Sequence, residues 1–307
     1  MQDSAVHHAT VPPHYAAGAP FPWWGKVAAK LAIAALRLPR GGLRRLGIGR
    51  HSFVADAESR VLDEPMAHVA RFTARHGRPP RGVLEIGPGR MVTRAAAYAA
   101  LGCGPVWFSD VEDDAPTDPA AYARVASLAR ARGLPAPNLD HARTRAAALA
   151  ACDAHYLVGG TDILAAIPNG SVELIVSDVV IEHVRRDALP GLLAALRRIA
   201  APTALGIHAV DFHDHVGGAL NTLRFRPDFW EGELVGRSGL YVNRLGLSEI
   251  EAAFATAGFQ THRLELWCWP APPPGATARH PSLRRPSGDD LIAFAKLEAT
   301  LPGGATA

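Results

Sequence analysis

The stretch Glu85-Ile86-Gly87-Pro88-Gly89-Arg90 follows an apolar run, and roughly twenty residues later a second apolar run ends in Phe108-Ser109-Asp110. A glycine turn between strand and helix lets the backbone approach a ligand closely, and an acid closing the next strand can accept both ribose hydroxyls. The pairing predicts a nucleoside-binding half of a Rossmann-like sheet. The third glycine of the dinucleotide fingerprint is absent: the pattern runs Gly87-x-Gly89-x-x-Val92, with Glu85 ahead of the first glycine. A carboxylate at that place speaks against a pyrophosphate ligand. An ordinary tight turn also carries Gly-x-Gly, so the assignment depends on the rest of the chain.

Short apolar runs alternate with helical patterns along most of the remaining sequence, which predicts a parallel sheet covered on both faces. Seven strands are expected, at Gly82–Ile86, Pro105–Ser109, His155–Val158, Val172–Ser177, Ala204–Ala209, Thr261–Trp267 and Leu291–Lys296. Asp118-Pro119 offers a helix cap and a first-turn proline, and Ser248-Glu249-Ile250-Glu251 reads as a capping box with Gly258 closing the helix. The connection Pro270 to Ser287 is rich in proline and too irregular for a crossover helix, so the last two strands should pair antiparallel.

At 307 residues and 48% hydrophobic composition the chain can bury a full core. The expected layout is a basic and apolar helical extension over 1–55, one domain over 56–300 with a helical insert at 114–153, and a flexible tail over 301–307. A net charge of only +3 and no lysine-rich stripe interleaved with aromatics argue against nucleic acid as a partner. Cys103, Cys152 and Cys268 lack metal-type spacing and suit reduced thiols in a cytoplasmic protein. No apolar run reaches a membrane span, and no export signal is visible. Between Pro20 and Arg50, however, Phe21, Trp23 and Trp24 accompany seven cations and no acid. A basic amphipathic helix making weak peripheral contact with a membrane surface, and a helix packed on the core with its cations in solvent, both fit that stretch.

The order of parts resembles the class I S-adenosylmethionine-dependent methyltransferases over about seventy percent of the chain, from Val83 to Leu297. Val83-Leu84-Glu85-Ile86-Gly87-Pro88-Gly89 looks like the family's first motif, and Asp110 matches its ribose-binding acid. Gly160-Thr161-Asp162-Ile163, then Ile167 through Ser177, then Ile181-Glu182-His183-Val184, is similar to the family's adenine-side acid, fourth strand and closing segment. The resemblance implies a seven-stranded, mostly parallel sheet with an antiparallel last strand and helices on both faces. It also implies S-adenosyl-L-methionine as cofactor and transfer of its methyl group. Two departures are visible. Met91 stands where a third glycine is common, and Asp162 is one residue off the usual spacing, so Thr161 shares its assignment.

The cofactor expected from this resemblance has a sulfonium, an ammonium and a carboxylate but no phosphate. Glu85 can meet the ammonium, amides of the Gly87 and Gly89 turn can take polar atoms, and Asp110 can hold the ribose. Thr161 and Asp162 can reach the adenine edge, and Asp178 should lie at the carboxyl end of the sheet, where ligands gather in open α/β folds. The run Ile207-His208-Ala209-Val210-Asp211-Phe212-His213-Asp214-His215 should open on the same edge. In extended backbone Asp211, His213 and His215 point one way and Asp214 the other. These groups can supply a base, orient an acceptor or bind a metal, and a histidine-rich turn that only satisfies its own backbone is the plain alternative.

The expected chemistry is in-line attack of an acceptor hydroxyl oxygen on the methyl group, with alignment contributing most of the rate. The base is sought among His183, His213 and His215, oriented by Asp211 or Asp214. Val179 occupies the place where metal-dependent relatives carry an extra carboxylate, so no metal is assigned. Segments Asn221 to Phe225 and Tyr241 to Leu245 resemble bacterial methyltransferases acting on glycans or natural products, which implies a biosynthetic small-molecule or glycan acceptor. Arginines of the 114–153 insert fit either a lid or a solvated helix face. An aminopropyl transferase on the same fold and a non-catalytic cofactor-binding partner protein are the rival readings, separable by a decarboxylated-cofactor assay and by calorimetry.

Overall fold

The computed structural model describes residues 6–11, 22–36, 59–217 and 219–303. Arg37, Arg40, Arg44, Arg45 and Arg50 of the basic N-terminal stretch, and most of the 301–307 tail, lie outside the described residues.

One eight-stranded sheet organises the chain: β1 His7–Thr10, β2 Val83–Ile86, β3 Val106–Asp110, β4 Ala154–Val158, β5 Val172–Asp178, β6 Ala200–Asp211, β7 Gln260–Cys268 and β8 Ile292–Thr300. The spatial order is β1-β7-β8-β6-β5-β2-β3-β4. Only β8 runs against its neighbours, lying antiparallel between β6 and β7, while the other pairs are parallel. The seven expected strands are all present, and the antiparallel last pair is as predicted. Strand β1 adds an eighth beside β7, aligning His7 with Glu265.

The helices are α1 Trp23–Ala35, α2 Glu64–His76, α3 Ala95–Ala100, α4 Ala120–Ala131, α5 Arg145–Ala151, α6 Leu189–Ile199, α7 Pro227–Trp230, α8 Glu233–Arg237, α9 Leu247–Thr256 and α10 Pro274–Thr277. Apolar stripes at helical spacing bury them. In α6 these are Leu189, Leu192, Leu193, Leu196 and Ile199. One core face packs Phe72, Tyr98, Phe108, Tyr122 and Val125 against the sheet, and the other packs Leu84, Ile175, Leu193, Ile250, Phe254 and Leu297. Burial on two faces explains why β5, read along its length, is nearly continuous in apolar residues.

The Asp118 cap is realised, since its carboxylate accepts the Ala120 N–H at 2.9 Å. The capping box at Ser248 is not. Helix α9 starts earlier, with Glu249 accepting the Gly246 N–H at 2.8 Å, and Ser248 donates its hydroxyl to Asp289 at 2.9 Å. A partner 41 residues away outcompetes the local cap.

Segment 114–153 is the β3-to-β4 crossover: Tyr122, Val125, Ala126, Ala129, Ala148 and Leu149 belong to the first core face. Its arginines are tied at the periphery, Arg132 to Asp63 at 3.0 Å and Arg145 to Asp113 at 2.6 Å. The cap over the carboxyl edge comes from elsewhere. Helix α1 buries Val27 among Val216, Trp230, Val235, Leu240, Tyr241 and Val242, and Lys30 donates to the Gly239 carbonyl at 3.1 Å. Trp24 stays 62% exposed on the outer face of α1. Among the described residues no helix is long and apolar enough to cross a membrane.

Candidate active site at the carboxyl edge of the sheet

Parallel pairing puts the ends of five strands at one level. Ile86 is in register with Ser109 and with Ser177, Asp110 with Val158, and Asp178 with Ala209. The segments after β2, β3, β4, β5 and β6 therefore open on one edge, and they carry the residues singled out in the sequence. Each exit from a strand is fixed by a bond to the strand beside it. Gly87 N–H donates to Ser109 O at 2.7 Å, Gly159 N–H to Asp110 O at 2.8 Å, and Val179 N–H to Ala209 O at 3.0 Å.

The glycine turn and the acid meet directly. Gly89 N–H donates to Asp110 Oδ2 at 2.9 Å, and Asp110 Oδ1 accepts the N–H groups of Val111 and Glu112 at 2.7 and 3.4 Å. Partial burial pushes the Asp110 carboxyl up from its ordinary value, and these three donors pull it back. Both glycines need their left-handed backbone, with φ of +64° at Gly87 and +53° at Gly89. They differ in surroundings. A methyl group on Gly87 would lie 2.6 Å from Val180 Cγ2, whereas one on Gly89 would meet nothing within 4 Å. The turn is thus closed at Gly87 by Val180 and open at Gly89, beside Asp110.

Glu85 is not available to a ligand, contrary to expectation. It is 2% exposed, and its two oxygens are taken by the Arg94 guanidinium and by the Tyr98 hydroxyl at 3.2 Å. The cause is the 3-10 helix Gly89–Arg94, which brings Arg94 back to Glu85 on β2. Arg94 also pairs with Glu64, and Arg60 joins Glu64 at 3.1 Å to Asp178 at 2.8 Å. Three carboxylates and two guanidiniums thus form one network beneath the turn, of which Asp178 is the member at the edge. Burial raises the Asp178 carboxyl, and the nearby Glu64 adds to it. Sequence reading missed Arg94 and Arg60: Arg94 meets Glu85 and Glu64 at separations of 9 and 30 residues, and Arg60 reaches Asp178 across 118.

Thr161 and Asp162 begin a 3-10 turn directly after β4, with Asp162 exposed at the rim. They stand beside Asp110 because β4 pairs with β3.

No family model matches the chain, and no curated protein matches it. Several solved structures are similar over most of its length. YcgJ from Bacillus subtilis is 13% identical with a TM-score of 0.44, covering 78% of this chain and 100% of its own. A putative O-methyltransferase from Nostoc punctiforme is 16% identical at TM-score 0.41, covering 78% and 56%. A TehB-like SAM-dependent methyltransferase from Corynebacterium glutamicum is 13% identical at TM-score 0.38, covering 89% and 99%. These likenesses are shallow. The architecture stands on the strand order and register above.

The histidines divide into two groups. His213 is 4% exposed; its Nδ1–H donates to Asp211 Oδ1 at 2.6 Å, and its ring lies edge-on to Trp269 with centroids 4.9 Å apart. His183 and His215 lie nearer the surface, with rings stacked at 5.0 Å and their Nε2 atoms 3.2 Å apart. His183 Nδ1 lies 2.9 Å from the Tyr241 carbonyl. A carbonyl only accepts, so Nδ1 carries the hydrogen there, and Nε2 of a neutral His183 ring accepts from His215.

The expected alternation of Asp211, His213 and His215 against Asp214 does not occur. Strand β6 ends at Asp211, whose Oδ1 also accepts the His213 N–H at 2.8 Å and turns the chain. Asp214 orients no histidine. It is 3% exposed and accepts the N–H groups of Val216, at 3.1 Å, and Asn221, and burial pushes its carboxyl up to about 6. Its work is to close the loop that carries His215.

Glu182 sits between the two groups, 3% exposed, with Oε1 accepting the Asp211 N–H at 3.3 Å and Oε2 making no hydrogen bond. Burial drives its carboxyl well above the ordinary range, with the Asp211 charge reinforcing that. Among the described residues no three metal-ligating side chains converge.

Proposed function

We propose that the chain is an S-adenosylmethionine-dependent methyltransferase that methylates a hydroxyl oxygen of a small-molecule, natural-product or glycan acceptor. The observation carrying this reading is the Gly89–Asp110 contact of 2.9 Å at the level where the parallel strands end. A carboxylate already held by backbone donors beside an open glycine turn is preset to accept ribose hydroxyls without reorganising.

Gly87 and Gly89 would carry the cofactor's polar tail past the turn, and Asp110 its ribose. Thr161 and Asp162 would line the adenine edge. The ammonium is assigned to Asp178, because Glu85 is already committed to Arg94 and Tyr98. The bound cofactor supplies a sulfonium-activated methyl group. The remaining task of the protein is to align the acceptor and receive its proton.

His183 and His215 are the accessible bases, and their shared hydrogen bond lets the pair take up one proton while Tyr241 O keeps His183 in place. His213, buried between Asp211 and Trp269, positions the turn that carries His215. Peripheral membrane contact through residues 20–50 remains open to a liposome flotation assay with anionic lipid.

Calorimetry with S-adenosylhomocysteine, on the chain and on Asp110→Ala, tests cofactor binding. No binding, or equal binding by both proteins, would sink the proposal. Labelled-methyl cofactor added to a cell extract, with mass spectrometry of the labelled product, then identifies the acceptor.

A further inference from the structure

The β7–β8 connection forms an open, solvent-facing cavity of about 430 Å³ whose lining includes Arg279, His280, Leu283, Arg284 and Arg285. Three guanidiniums meet there, and the acids beside Arg285 are Asp290, Asp289 and Glu249. Asp290 serves two of them: it pairs with Arg279 Nη2, and its Oδ1 lies 3.5 Å from Arg285 Nε. That Nε and the Asp290 Oδ1 facing it both lack a hydrogen bond, while Arg285 Nη2 donates to the Asp289 carbonyl at 3.1 Å and the side chain is only 1% exposed. Asp289 is turned away, accepting from the Ser248 N–H and hydroxyl at 3.1 and 2.9 Å, and Glu249 accepts from Gly246 N–H. Arg284 is exposed and donates to the Pro281 carbonyl at 3.2 Å, a bond a stronger acceptor can replace.

The cavity shares walls with the catalytic edge. The Arg285 guanidinium stands 5.8 Å from the ring centre of Phe212, which lies between Asp211 and His213 in the chain. Leu283 belongs to a small cluster with Leu220, Leu223 and Ala276 that packs against Trp269, the ring beside His213. His280 N–H donates to Leu223 O at 2.8 Å, which ties the cavity floor to the loop closed by Asp214.

We propose that this cavity is an oxyanion subsite, holding a phosphate or carboxylate group of the acceptor while its hydroxyl faces the His183–His215 pair. Planar guanidiniums match oxyanions two bonds at a time, and their partial burial strengthens each bond. The role of the anion as part of an acceptor rests on the methyltransferase reading; anion binding itself does not.

The test is calorimetric titration of the full chain with inorganic phosphate and, separately, with acetate at constant ionic strength. Arg284→Ala and Arg279→Ala are titrated alongside, and S-adenosylhomocysteine affinity is measured on the same samples. The expected result is saturable binding of at least one anion, weakened about tenfold or more in Arg284→Ala, with cofactor affinity unchanged. Preference for phosphate marks a phosphate ester and preference for acetate a carboxylic acid; both uphold the subsite. Absence of saturable binding, or equal binding by the chain and both variants, overturns it. Arginine-dependent anion binding in a chain that ignores S-adenosylhomocysteine would leave the subsite standing while the methyltransferase reading falls.

Discussion

Asp110 and Gly89 are joined across the gap between β2 and β3 by a carboxylate-to-amide bond of 2.9 Å. The acid is thereby aimed before any ligand arrives. Replacing it with alanine removes charge-assisted bonds to the ribose and should weaken S-adenosylhomocysteine binding by about 100-fold, with Tm little changed. Calorimetry paired with thermal denaturation separates the two effects.

The two glycines of the turn should respond differently to alanine. At Gly89 the left-handed backbone costs about 1 kcal/mol, and the added methyl enters open space, so stability falls slightly while cofactor binding is blocked. At Gly87 the same strain is compounded by the contact with Val180, and Tm should drop further. Equal Tm losses in the two variants would contradict this account.

Arg94 and Glu85 form a buried ion pair, so removing one partner strands the other. Arg94→Met should cost about 3–5 kcal/mol in denaturant unfolding, and the double variant Arg94→Met, Glu85→Leu should recover much of it. Recovery would show that Glu85 serves the turn and not the ligand.

Among the histidines, His183→Ala and His215→Ala should each lower turnover by roughly 100-fold or more while leaving cofactor affinity intact. His213→Ala should instead show a loss of Tm alongside any loss of rate, since its ring is packed between Asp211 and Trp269. Single-turnover methyl transfer with saturating cofactor distinguishes them.

His208 gives an acid limit to stability. It is buried on β6 with Nδ1 2.7 Å from Ser177 Oγ, and burial holds it down at about 4, against 6.5 in the unfolded chain. The unfolded chain therefore takes up the proton first as pH falls. The contribution is fully present above pH 6.5 and is lost as pH drops through 4, amounting to about 3 kcal/mol. A Tm profile between pH 7.5 and 4 should be flatter for His208→Gln than for the unaltered chain.

Strand positions were legible because burial on both faces writes continuous apolar runs, as in Val172 to Val176. Strand β1 was not, since His7-His8-Ala9-Thr10 joins β7 through backbone bonds that leave no apolar signature. The Gly87, Gly89 and Asp110 constellation was readable, because a strand, a turn and the next strand fix its geometry locally. The fate of Glu85 was hidden in Arg94, brought round by the 3-10 helix Gly89–Arg94 that follows the glycine turn. Asp214 was misread for a related reason: Asp211 ends the strand by bonding to His213 N–H, and alternation stops with it.

Strand β8 is synthesised after every other strand of the sheet, yet its place is inside, between β6 and β7. Until Ile292 to Thr300 leave the ribosome, the edges of β6 and β7 that β8 covers have no partner in this sheet. Completion of this sheet is therefore an insertion, and any delay in that step leaves the edges of β6 and β7 open to strands from other chains.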